Sequence, residues 1–456
     1  MTHRYTESDE VNLSLRHSVK DGVAYSVMSG GGESFFSAFA LYFKASTAEI
    51  GVLASLPPML ASFAQLVSAW LGRRFHQRKT IILMGASMQA VMLIPLGLLP
   101  ILFPDNAVTL LILSAVLYFA GANLATPQWN SLMGDLVPER RRGRYFARRT
   151  RLCSITAFSS LIVAGIILDL FDRNAYTLAG YLLIFAVAMG ARLVSVYYLW
   201  QMLDPSHHVA SLESPFKAGI TKQLFKSRFI HFSSFYALMQ LAVAIASPFF
   251  IVYQLRDLQF SYLEYTVSTS MSVLMQFIAL NRWGRISDVF GNRLILATTG
   301  FMIPVLPFLW LLSTNYIYIL LVQAFGGLAW AGFSLSASNY LYDLIPSKKR
   351  ATYMAFHNVL ASIAVFLGAL IGGYLGTHLP KQVEIFGETY EWLSVLYGVF
   401  LASGIMRLSA SLIFLPRLKE MRDVRPMTVR GLIFRVARFS LSGLTFDVIG
   451  QKRRKP

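Results

Sequence analysis

Long apolar runs alternate with short polar stretches along the whole chain. Twelve runs fall at roughly 22–43, 50–71, 80–102, 107–130, 150–171, 178–201, 228–254, 262–282, 292–313, 316–341, 352–377 and 391–415. About 20 residues in a helix cover the ~30 Å hydrocarbon layer of a bilayer, and each run is about that long. The runs are continuous rather than alternating, and about twice the length of a barrel strand, so helices are predicted instead of a β-barrel. Pro57, Pro58, Pro95, Pro127, Pro248, Pro304 and Pro307 lie inside runs and predict kinks, which packed membrane helices tolerate. The pattern predicts an all-α polytopic membrane protein with twelve transmembrane helices.

The polar stretches are strongly asymmetric in charge. Those on the side of the termini hold Arg73, Arg74, Arg78 and Lys79, then Arg140, Arg141, Arg142, Arg144, Arg148, Arg149 and Arg151. Lys217, Lys222, Lys226, Arg228, Arg282, Arg285, Arg293, Lys348, Lys349 and Arg350 follow, and the tail from Arg417 to Lys455 adds eleven more. The opposite side holds Lys44, Arg173, Arg256 and Lys381. Basic loops stay in the cytoplasm, which places both termini there. In the tail, Val429, Leu432, Ile433, Val436 and Phe439 share a helical face opposite Arg430, Arg435 and Arg438. This predicts an amphipathic helix lying on anionic inner-leaflet lipids.

Composition sharpens the class. Of 456 residues 55% are hydrophobic and 14% charged, against about 25% charged in soluble chains, which excludes a soluble multidomain enzyme. The net charge of +18 sits in the loops and reports topology, so no nucleic-acid partner is expected. The single cysteine, Cys153, allows no internal disulfide. Residues 1–21 are polar and lack the apolar core of a cleaved signal peptide, so they read as a cytoplasmic N-terminal segment. No Walker loop, His-Glu-x-x-His or Gly-x-Ser-x-Gly box occurs, so the protein is expected not to be an enzyme and to need no cofactor or metal. Short outer loops without an Asn-x-Ser/Thr sequon agree with a bacterial inner membrane.

The longest internal loop, 202–227, separates runs 22–201 from runs 228–415, with 416–456 as the basic tail. The two halves repeat. Asp135-Leu-Val-Pro138 with Arg142, Tyr145 and Ala147 follows run four, and Asp343-Leu-Ile-Pro346 with Arg350, Tyr353 and Ala355 follows run ten. Arg192-Leu193 in run six is echoed by Arg407-Leu408 in run twelve. Between runs eight and nine stands Gly284-Arg285-Ile-Ser-Asp288-Val-Phe-Gly291-Asn-Arg293. This segment resembles the Gly-x-Leu-Ala-Asp-x-x-Gly-Arg-Lys loop of the major facilitator superfamily, and the resemblance extends over residues 20–415. It implies two pseudo-symmetric six-helix bundles that rock about a central site. It also implies that Gly284, Arg285, Asp288, Gly291 and Arg293 form a conformational latch. The glycines would allow a tight turn, and Asp288 would pair with a helix start or a basic neighbour. The corresponding loop Gly72-Arg73-Arg74-Phe-His76-Gln77-Arg78-Lys79 has Arg74 in place of the acid, and Asp135 is the candidate to supply one.

Within run one, Gly30-Gly31-Gly32 precedes Glu33. An ionised carboxylate at that depth is costly, so Glu33 is paired, protonated or functional, and it is the candidate proton-coupling group. The resemblance places runs one, four, seven and ten around the cavity. Asn123, Gln128, Trp129, Asn130, Gln240, Trp330 and Asn339 are then candidates for its wall, or for polar packing between helices. Arg192 and Arg407 are structural, snorkelling or anion-binding candidates. His357 and Asn358 in run eleven are within reach of the cavity.

A secondary active transporter for a small organic solute, expected as a monomer and coupled to protons through Glu33, fits these observations. A uniporter, a drug or metabolite efflux antiporter, a polar-lipid carrier and a non-transporting solute receptor are the alternatives. Run five lacks a Gly-Pro-rich signature resembling drug/proton antiporters, which favours symport over efflux.

Overall fold

The structure is a computed structural model that describes residues 2–75, 77–137, 139–204, 228–345, 350–380, 382–385 and 388–421. The amphipathic helix expected at 428–440 and most of the loop 202–227 lie outside these residues.

Among the described residues, ten helices are long and apolar enough to cross a membrane. In the first half the helices are α1 (Thr2–Gly31), α2 (Phe36–Tyr42), α3 (Thr47–Phe75), α4 (Arg78–Val91), α5 (Leu93–Leu102), α6 (Ala107–Leu136), α7 (Glu139–Arg173) and α8 (Thr177–Trp200). In the second they are α9 (Arg228–Ala244), α10 (Tyr262–Phe290), α11 (Asn292–Met302), α12 (Val305–Leu309), α13 (Tyr316–Leu344), α14 (Arg350–His378) and α15 (Leu396–Phe414). The first and eighth expected spans are helical but are not among the ten. The first is interrupted at Gly32 by a 3₁₀ turn, Glu33–Phe35, and α10 carries Glu264, Arg282, Arg285 and Asp288.

One expectation is corrected. The basic stretch after run four is not a loop, because α7 starts at Glu139 and runs unbroken through it. The all-α fold carries one short hairpin: Gln382–Ile385 (β1) pairs antiparallel with Glu388–Glu391 (β2), with Gln382 opposite Glu391. Val383, Ile385, Thr389 and Tyr390 are β-formers, and the last span starts after them, at Leu396.

Proline positions explain the broken helices. A proline removes one helical donor and clashes with the carbonyl four residues back. Pro95 accordingly ends α4 at Val91, and Pro248 ends α9 at Ala244. Pro304 and Pro307 deny the carbonyls of Gly300 and Ile303 their usual helical donors, although Leu306 N still donates to Ile303 O at 3.3 Å. α15 satisfies both: Ser411 Oγ donates to Gly300 O at 2.6 Å, and Arg407 Nη1 to Ile303 O at 3.4 Å. Arg407 Nη2 donates to Val243 O at 3.4 Å. Irregular backbone at membrane depth is tolerated where protein groups satisfy it in this way.

Packing repeats with the sequence. α1 packs on α7 and α8, α3 on α6, and α4 on α6; in the second half α9 packs on α14 and α15, α10 on α13, and α11 on α13. The halves meet along two seams, α3 with α14 and α7 with α10. One buried apolar cluster joins both halves and includes Phe36, Phe39 and Phe185 with Phe249, Tyr253 and Phe400. It lies at the end away from Thr2 and Met421, the described ends of the chain, where Arg256 Nη1 also donates to Thr47 Oγ1 at 3.3 Å. Toward the other end each half has its own core, around Ile82, Leu132 and Leu199 in one and Phe232, Phe333 and Ala410 in the other.

Candidate functional site

A cavity of about 560 Å³ lies where α3, α9, α13 and α14 converge. Ser55 and Met59 of α3, Tyr236 and Gln240 of α9, and His357 and Asn358 of α14 are among its walls. Helical spacing puts Tyr236 and Gln240 on one face, and Gln240 Nε2 donates to the Tyr236 hydroxyl at 3.0 Å. His357 is stacked on Phe232 and shares a hydrogen bond with Ser233 Oγ at 3.1 Å, which fixes the ring. The wall thus combines aromatic faces with a few oriented amide and hydroxyl groups, a composition that suits a small organic solute.

The other expected wall residues fall elsewhere. Gln128 is buried, with Nε2 on Ser68 O at 2.8 Å, and so ties α6 to α3. Asn123 accepts from Gln65 Nε2 at 2.6 Å and donates to Phe119 O, while Asn130 is exposed. Trp330 packs edge-on against Phe333, and Asn339 is half-buried on α13; neither lines the large cavity.

Glu33 is half-buried at the break between α1 and α2, where Tyr118 OH of α6 donates to Oε2 at 3.1 Å. The glycines before it let helices touch. A Cβ at Gly32 would stand 2.7 Å from Ala188 Cβ of α8, and one at Gly30 would overlap the Ala157 carbonyl of α7. Glu33 is therefore held inside the first half and does not line the large cavity.

A second cavity, about 220 Å³, lies among α1, α4, α6, α7 and α8. Asp21, Tyr25, Trp129, Arg149 and Arg192 supply its polar lining. Arg149 Nη2 reaches Asp21 Oδ2 at 3.3 Å, and its Nε donates to Ser18 O at 3.0 Å. Ser195 Oγ donates to Asp21 Oδ1 at 2.6 Å and accepts from Arg192 Nη1 at 2.7 Å. The Arg149 guanidinium stands 4.5 Å from the Trp129 ring, and that of Arg192 stands 5.0 Å from the Tyr25 ring. Arg192 thus belongs to a charged cluster, whereas its repeat partner Arg407 binds freed carbonyls.

Asp21 and Arg149 were not site candidates in the sequence, because both were assigned to polar segments outside the spans. A signal was present nonetheless. Ser14, Ser18, Asp21 and Tyr25 follow each other at spacings of four, three and four, one stripe of a helix, and the first three are buried.

In the loop resembling the latch, the turn is the single residue Gly291, with φ 84°, a backbone conformation that favours glycine. Gly284 lies inside α10 instead, and Arg285 is exposed there. The Asp288 side chain lies outside the described residues. Asn292, the first residue of α11, bridges Ser287 and Asp343, with Nδ2 to Asp343 Oδ2 at 3.0 Å. Arg293 N donates to Glu420 at 2.8 Å. In the first half, Arg78 begins α4 and bonds Asp135 and Asp204, each at 2.6 Å, and Ser131 at 3.2 Å. Asp135 and Asp343 occupy equivalent places in the repeated segments, so each half ties the start of its third helix to the end of its fourth.

Ten apolar helices, repeated packing and a cavity between the halves define a polytopic membrane transporter. The chain belongs to the MFS_1 like family, whose profile matches residues 34–386, and it is an integral membrane protein of the major facilitator type. It is 27% identical over 201 residues to an uncharacterized transporter of Buchnera aphidicola, a match covering 44% of each chain. It is 25% identical over 134 residues to the vacuolar membrane amino acid uptake transporter fnx2 of Schizosaccharomyces pombe, covering 29% of this chain and 21% of that protein. These matches span less than half the length of the curated relatives. The fold is similar to that of the nucleoside transporter NupG, with TM-score 0.65 and 13% identity over 90% of this chain and 100% of that one. A D-xylose-proton symporter is comparably similar, with TM-score 0.66 and 15% identity over 91% and 99%.

Proposed function

We propose that this protein is a secondary active transporter that carries a small organic solute by alternating access, with halves 22–201 and 228–415 rocking about the large cavity. The observation that supports this reading most directly is the asymmetry of the contact between halves. The shared core sits at the end away from the termini, and the separate cores sit at the other. Breaking the shared core and forming contacts at the opposite end would expose the cavity to the other side. The ties Arg78–Asp135–Asp204 and Asn292–Asp343 would hold the inner ends of each half as units while they move. Membership of the family and the fold of its solved relatives support the same reading.

Glu33 is the coupling candidate within it. Its bond to Tyr118 crosses from the α1 break to α6, so a proton on Glu33 would change how α1 packs. Its distance from the large cavity favours a second reading, in which Glu33 only positions α1 and the chain is a facilitator. Purified protein in proteoliposomes, offered a radiolabelled amino acid, nucleoside, pentose and monocarboxylate, tests both. Saturable uptake of at least one solute is expected. Uptake of that solute against its gradient, driven by a pH difference and abolished in Glu33→Gln, supports coupling. Equilibration without accumulation supports the facilitator, and no flux of any solute class would count against transport. The bacterial inner membrane, with both termini cytoplasmic, is the placement the loop charges support.

A further inference from the structure

The second cavity carries more charge chemistry than packing requires. Its wall holds two guanidinium groups, Arg149 and Arg192, and one carboxylate, Asp21. Arg192 is 5% exposed, and Asp21, which reaches it through Ser195, is also held by Arg149. Within the lining itself the guanidiniums outnumber the carboxylates by one, and Glu33, the next carboxylate, is bonded to Tyr118 outside it; a bound anion would offset that excess. Two buried donors, Arg192 Nε and Trp129 Nε1, also have no acceptor in the structure. A buried donor left unpaired carries a penalty that a bound acceptor removes. Both residues line this cavity.

We infer that the cavity bounded by Asp21, Tyr25, Trp129, Arg149 and Arg192 is a binding site for a small organic monocarboxylate. The charge balance calls for a monoanion, which chloride and dihydrogen phosphate also are, so shape selects the class. A planar carboxylate matches the guanidinium fork in shape. At about 220 Å³ the cavity has room for a small organic acid. Arg149 lies against the Trp129 face, so the indole offers its N–H edge to the ligand. The inference rests on the transport reading only in naming a solute class; the binding itself is tested without flux.

Full-length protein in detergent is titrated with acetate, benzoate and gluconate, and with inorganic phosphate, in chloride buffers of matched ionic strength. Binding is read by calorimetry and by the melting temperature. At least one carboxylate is expected to bind saturably and to raise the melting temperature more than chloride or phosphate does. Trp129→Phe keeps the ring and removes the donor, and Arg192→Lys keeps the charge and removes the fork; each should weaken binding about tenfold or more. Asp21→Asn removes the competing carboxylate and should tighten binding, the opposite of what loss of a purely structural group would do. Trp129→Phe keeps the test valid should Arg192→Lys fold poorly. No saturable carboxylate binding overturns the inference, as does wild-type affinity in both donor variants or a preference for phosphate. Intact binding without flux in proteoliposomes would refute transport and leave the site standing, whereas flux without carboxylate binding would refute the site alone.

Discussion

Single side chains in this protein act on helix breaks and on buried charge. Ser411 and Arg407 accept the consequence of two prolines: their donors take the carbonyls that Pro304 and Pro307 free. Ser411→Ala leaves the Gly300 carbonyl without that donor, and an unpaired buried acceptor costs roughly 1–3 kcal/mol. The variant is expected to melt at a lower temperature with its solute profile unchanged, which a thermal unfolding series in detergent checks. Tyr118→Phe removes the donor to Glu33 and keeps the ring packed against Phe36. If Glu33 couples protons, the pH dependence of uptake shifts in Tyr118→Phe and vanishes in Glu33→Gln; identical pH profiles in all three proteins would assign Glu33 to structure. At this scale the sequence was informative where a residue was out of place in its run. Glu33 stood out in an apolar segment. Asp135 stood out as the repeat of Asp343, and it bonds Arg78 at the start of α4. Gln128 and Asn123 were polar for a different reason, since amides between membrane helices serve packing as often as solute. Asp21 was illegible to hydropathy because α1 buries a polar stripe while Leu13 is 52% exposed.

Helices here are positioned by close approach across two seams. At Gly51 of α3 a Cβ would stand 2.8 Å from the Ala369 carbonyl of α14, and at Gly373 one would stand 3.1 Å from Ala48 Cα. Along the other seam a Cβ at Gly165 of α7 would overlap the Thr266 side chain of α10. On the proposed alternating-access reading, these contacts are made only while this end is closed. Gly51→Val pushes a side chain against the Ala369 carbonyl and should therefore shift the population toward opening there, not merely lower stability. Cysteine introduced at Ala48 in a Cys153→Ala background should react faster with a membrane-impermeant maleimide when Gly51→Val is present; an unchanged rate would show that the seam does not gate access. The element pattern was largely legible, because twelve apolar runs and their prolines are local signals. What the runs did not show was where helices continue past the apolar zone. α1 begins twenty residues before its apolar run and α7 eleven before its own, since charged residues extend a helix into water as readily as they end one. The hairpin at 382–391 was missed because it is short and abuts the last run.

At the scale of the whole molecule, the repeat in sequence, the repeat in packing and the one-ended contact between halves all belong to one design. On the proposed reading, two similar bundles joined along symmetric seams would have two equivalent ways to close, and a solute held between them would be exposed to one side at a time. The duplicated Asp-Leu-x-Pro segment made the repeat visible before any packing was known, whereas the direction in which the halves lean depends on contacts between residues far apart in the chain. The most direct measurement of alternating access is a pair of spin-label distances in a Cys153→Ala background. One pair sits at positions 44 and 382, at the end holding the shared core, and the other at positions 74 and 285, at the end of the termini. All four native residues, Lys44, Gln382, Arg74 and Arg285, are exposed. Recorded in nanodiscs across pH 5 to 8, with and without a bound carboxylate, the two distances are expected to change in opposite directions, one lengthening as the other shortens. Two distributions that stay fixed under every condition, or that lengthen together, would contradict alternating access.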